Sequence, residues 1–80
     1  MPTFMDRHNA PDVTHEAMAE AHRLDLEVQE RYDVRFLAYW FDPDRELGFC
    51  LANAPNAKAM KEVQTESHGA IPSDIREVDL

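Results

Sequence analysis

Cysteine is almost absent from this 80-residue chain: Cys50 stands alone, so no disulfide can form within it. A chain this short buries only about 60–65% of its unfolded surface and often needs further support. With disulfides excluded, a metal ion or a partner subunit would have to supply it. Glycine is scarce too. Two glycines exclude a glycine-rich phosphate loop and a dinucleotide fingerprint, and there is no compact CxxC or His-x3-His motif. No Ser/His/Asp order marks a hydrolase. Basic residues are few: eight Lys and Arg stand against sixteen Asp and Glu, for a formal net charge of −8. That balance argues against nucleic-acid phosphates and against an anionic membrane surface as partners. No apolar run approaches the roughly 20 residues that cross a bilayer. Met1–Asp6 lacks the basic and apolar regions of an export leader, and a lone thiol suits a reducing cytoplasm, the expected location.

What is present reads as six elements of one domain, residues 1–80. Thr3 to His8 is a first strand, with Phe4, Asp6 and His8 on one face and Met5 and Arg7 on the other. From Asp12 or Thr14 to Arg31 the spacing is helical. Ala17, Ala21, Leu24, Val28 and Tyr32 form its apolar stripe; His15, Met18, His22, Asp25 and Gln29 flank it. Val34 to Phe41 is β-branched and aromatic, and simple alternation pairs Tyr39 with Phe41 and Phe36 with Trp40. Asp42-Pro43-Asp44 turns the chain into a third strand, Leu47 to Asn53. Asn56 caps a second helix, about Ala57 to Ser67, which Gly69 ends and Pro72 follows. A last strand runs from Ser73 or Asp74 to Val78.

The order β-α-β-β-α-β predicts an α+β ferredoxin-like sandwich: a four-stranded antiparallel sheet, order 4-1-3-2, with two helices on one face. The other face carries large apolar residues that need cover, so a homodimer is expected. The topology also brings distant residues together. His8 ends the first strand and His68 ends the second helix, and both lie at the same end of the fold. His22 lies lower on the first helix, with Asp25 on a neighbouring position of the same helix. Imidazoles with carboxylates beside them bind borderline divalent metals such as nickel, zinc and copper. Simpler roles stand beside that one. His68 suits the negative end of a helix dipole as a cation, and His8 suits a strand-end hydrogen bond. His22 and Asp25 suit a local pair, and Cys50 suits a small buried apolar position.

Five stretches occur in a familiar order: Asp6-Arg7-His8, Ala21 to Gln29, Tyr39-Trp40-Phe41-Asp42, Phe49-Cys50-Leu51 with Ala54-Pro55, and His68-Gly69. Together they resemble the small ferredoxin-like nickel-binding proteins, otherwise catalogued as a domain of unknown function. The resemblance implies a homodimer that binds Ni2+ through histidine and oxygen ligands. Carried over by position, it implies His8, His22 and His68 as ligands, with Asp6 and Asp25 as ligands or orienting partners. This chain departs from the pattern at Gln64, where many relatives carry a second histidine one turn before the His-Gly pair. The turn before the third strand, Glu46-Leu47-Gly48, is altered as well. The expectation is a non-enzymatic, cytoplasmic nickel-binding dimer, with Zn2+ or Cu2+ as other ions and metal buffering or sensing as its role. A metal-independent regulatory module with a protein partner is the alternative. A small dimeric enzyme with a pocket lined by Tyr39, Trp40 and Cys50 is a third reading.

Overall fold

The computed structural model describes residues 1–79. Strand β1 (Thr3–Asn9) is followed by α1 (His15–Val28), a 3-10 turn (Gln29–Tyr32), β2 (Arg35–Asp42), β3 (Leu47–Asn53), α2 (Ala57–Ser67) and β4 (Asp74–Val78). The sheet is antiparallel in the order β2-β3-β1-β4, the predicted 4-1-3-2 order read from the other edge. No helix is long and apolar enough to cross a membrane among the described residues.

Local chemistry sets the element ends. Thr14 caps α1 by accepting the Ala17 N–H at 3.0 Å, and Asn56 caps α2 by accepting the Ala59 N–H at 2.8 Å. Gly69, at φ 78°, closes α2 with its N–H on the Gln64 carbonyl at 2.9 Å. Helix α1 ends at Val28, earlier than the periodicity suggests. The next four residues tighten into the 3-10 turn, and Asp33 leaves it in the left-handed region at φ 57°. This short polar residue tolerates that conformation.

The core lies between the sheet and the helices, built on Phe4, Val34, Phe36, Cys50, Ala52, Met60 and Val63. Two details differ from simple periodicity. In β2 an irregularity falls between Phe36 and Ala38, where the Gln29 side-chain carbonyl takes the Phe36 N–H at 2.9 Å. The alternation slips there. Tyr39 therefore pairs with Cys50 on the helix side, beside buried Phe36, while Trp40 pairs with Phe49 on the open face and is 49% exposed. The enzyme-type pocket with Tyr39, Trp40 and Cys50 on one wall is thus not formed. In α1 the expected polar flank turns inward: Asp25 is buried and His22 and Met18 half-buried, whereas Ala17 is exposed.

Candidate metal centre

The site starts from an anomaly in β1, a carboxylate at a core position. Asp6 is 2% exposed and lies opposite Cys50 of β3. Its Oδ1 accepts the Cys50 backbone N–H at 2.7 Å. Its Oδ2 accepts from the Gln64 side-chain amide and pairs with His8 Nε2 at 3.0 Å. A buried carboxylate is tolerable only with such partners. Because a carboxylate oxygen accepts, His8 presents Nε2–H to Asp6 and, in its neutral form, keeps the Nδ1 lone pair free. A carboxylate behind an imidazole is the usual way to orient a histidine ligand.

A second buried carboxylate with an imidazole beside it stands nearby. Asp25 of α1 is 1% exposed, and its Oδ1 accepts the Ser67 hydroxyl at 2.6 Å and pairs with His68 Nε2 at 3.0 Å. Its Oδ2 has no hydrogen-bond partner among the described residues. His68 reaches back because Gly69 turns the chain at the end of α2. Its Nδ1 accepts the Ala70 N–H at 3.1 Å, while its Nε2 is close to Asp25 without an aligned hydrogen bond. The His8 and His68 rings stand 6.4 Å apart, edge to face.

His22 packs on Tyr39, with ring centroids 4.5 Å apart, and its Nδ1 is buried without a hydrogen-bond partner. An unpaired buried nitrogen costs about 1–3 kcal/mol. The Gln64 side-chain carbonyl is orphaned in the same way, since its amide nitrogen faces Asp6. His8, His22, Asp25, His68, Cys50 and Tyr39 all line one cavity of about 340 Å³ between α1, the sheet and the loop after α2.

The donors are unevenly spread around it. Asp6, His8 and Cys50 offer one donor atom each within 4.8 Å of one another, all from two paired strands. His22, His68 and Asp25 line the cavity outside that compact group. The Cys50 thiol is pushed far above the ordinary thiol range, first by burial and then by the charges of Asp6 and Asp25. It is a protonated thiol here, unsuited to act as a free nucleophile. A bound cation would reverse that preference.

The topology brings His8 and His68 to one end, as the order of elements suggests, and places His22 in the same cavity. The sequence places Cys50 at a small buried position or in the wall of an enzyme-type pocket, not among metal ligands, and assigns Ser67 no part in the site. The cue for Cys50 is strand register, since Asp6 faces it directly. For Ser67 it is adjacency to His68 at the end of a helix. The residues fit a divalent ion: three imidazoles, the Asp25 carboxylate and the Cys50 thiol line a cavity that also holds an unsatisfied nitrogen, and buried Asp6 stands behind His8.

Residues 4–78 match the family described as "Nickel responsive protein SCO4226-like". The fold is also similar to the crystal structure of SCO4226 from Streptomyces coelicolor A3(2). The two share 34% identity and a TM-score of 0.89, covering 98% of this chain and 96% of that one. Among curated proteins none matches. The chain belongs to the SCO4226-like nickel responsive protein family.

Proposed function

With that membership as the premise, we propose that the protein binds divalent nickel in the cavity between α1 and the sheet, as a metal buffer or sensor. The observation that carries this reading is the buried Asp6–His8 pair beside Cys50, in a cavity that also holds the unpartnered His22 Nδ1. His8 supplies Nδ1, with Asp6 holding the ring from behind. His22 supplies its orphan nitrogen, and Asp25 supplies Oδ2. His68 joins by giving up the Ala70 N–H or the Asp25 carboxylate. Cys50 is the further donor, once the ion has displaced its proton. Gln64 adds no imidazole; it steadies Asp6 instead. Mixed nitrogen, oxygen and sulfur donors accept nickel, zinc and copper alike, and the family membership is what puts nickel first.

The functional unit in this reading is a cytoplasmic homodimer. Met5, Leu37 and Trp40 leave large apolar area exposed, and a second copy on the open sheet face would cover Trp40 and Met5. Calorimetric titration of nickel into metal-free protein tests the ligand set. The wild type is expected to give saturable heat, and a His8→Ala/His22→Ala/His68→Ala variant little or none. Equal heats from the two proteins would refute the proposed ligands.

A further inference from the structure

Two sulfur-bearing residues, Cys50 and Met18, line the cavity, and Met18 has no part in the nickel reading. Met18 of α1 lies directly over Gly48 of β3. A Cβ there would stand 2.8 Å from Met18 Cε and 3.6 Å from its Sδ, so the missing side chain lets the thioether reach the sheet. Strand register fixes what lies around that point. His8 pairs with Gly48 across β1 and β3, and residues paired in this way share one face of the sheet. Cys50 follows two positions along β3, about 7 Å away on the same face. The thioether is thereby brought over the strand pair that carries Asp6, His8 and Cys50, whose donor atoms lie within 4.8 Å of one another.

The geometry points to a second occupant for this cavity, monovalent copper, held by Met18 Sδ, Cys50 Sγ and His8 Nδ1. Thioether and thiolate are soft donors, and soft donors select Cu(I). The ion takes the place of the Cys50 thiol proton: the S–H bond breaks, a Cu–S bond forms and the proton leaves to water. That exchange leaves the local charge unchanged, which suits a site walled on one side by Val13, Ala17, Ala21 and Ile71. His8 and Cys50 also belong to the proposed nickel set, so the two ions exclude each other. The inference does not depend on nickel binding, because Met18 is no member of that ligand set.

Anaerobic competition with bicinchoninate, whose Cu(I) complex is coloured, tests it. Wild-type protein is expected to withdraw a single Cu(I) per chain. Met18→Leu keeps the bulk of the side chain and removes the sulfur. It should weaken Cu(I) binding at least about tenfold, the lower end of what even an indirect partner of a bound metal contributes. X-ray absorption at the copper edge should show two sulfur neighbours in the loaded wild type and one in Met18→Leu. Failure of the wild type to withdraw Cu(I), fewer than two sulfur neighbours in it, or equal affinity in Met18→Leu would each overturn the inference. Absence of nickel heat with wild-type protein would overturn the nickel reading and leave this one standing, so the two fail separately.

Discussion

Asp6 is the residue on which the polar part of this core depends. It receives the Cys50 N–H, the Gln64 amide and the His8 imidazole from three different elements or positions. Removing it leaves at least two buried donors, on Cys50 and Gln64, without an acceptor. Asp6→Ala should therefore destabilise the protein by about 3 kcal/mol, with a lower urea midpoint and little change in slope. An unchanged midpoint would mean that water replaces the carboxylate at no cost. The sequence showed that Asp6 and His8 share a strand face, which is unusual for a core strand. It could not show which hydrogen bonds would make the carboxylate tolerable, because Cys50 and Gln64 lie 44 and 58 residues away. Those separations close only through strand pairing and the docking of α2. Gln64 read as a weakened ligand; in the fold it is fully buried and braces the carboxylate behind one.

At the scale of elements, the strand and helix order was legible because hydrophobic periodicity, caps and turn residues agreed with one another. Where the faces of β2 and α1 differ, a tertiary interaction overrides the local period. The Gln29 side chain takes the Phe36 N–H at the irregularity, and α1 turns His22 and Asp25 inward to the cavity. The 3-10 turn is tied to α2 by Glu66, whose carboxylate pairs with Arg31 and accepts the Tyr32 hydroxyl at 2.7 Å. The Tyr32 hydrogen bond, followed by those from Arg31, holds the Glu66 carboxyl below its usual range. A carboxyl lowered in the folded state stabilises the fold above its unfolded value, about pH 4.3. That contribution is lost as pH falls through the lower folded value. The stability difference between wild type and Glu66→Gln should thus be present at neutral pH and shrink on acidification below about pH 4.3. A difference that stays constant from neutral pH to pH 3 would contradict the clamp. Screening by solvent keeps the effect small, since both Arg31 and Glu66 are substantially exposed.

For the whole molecule, the two faces of the sheet divide the work. One face carries β1's His8 to the cavity under α1, with Asp6 bonded behind it. The other presents Met5 and Trp40 outward, at 37% and 49% exposure. Light scattering at micromolar concentration should give the mass of a dimer for the wild type, and Trp40→Arg should shift it toward the monomer. A monomeric wild type would refute the proposed assembly while leaving the cavity intact. Elements far apart in sequence bring the histidines at 8, 22 and 68 to that one cavity, the proposed metal site. Anomalous scattering from a nickel-soaked crystal, recorded on both sides of the nickel absorption edge, tests this most directly. The account predicts a nickel peak inside the cavity, within coordination distance of His8 and at least one of His22, His68 and Asp25. A crystal with nickel bound only outside the cavity, or with no nickel at all, would contradict it.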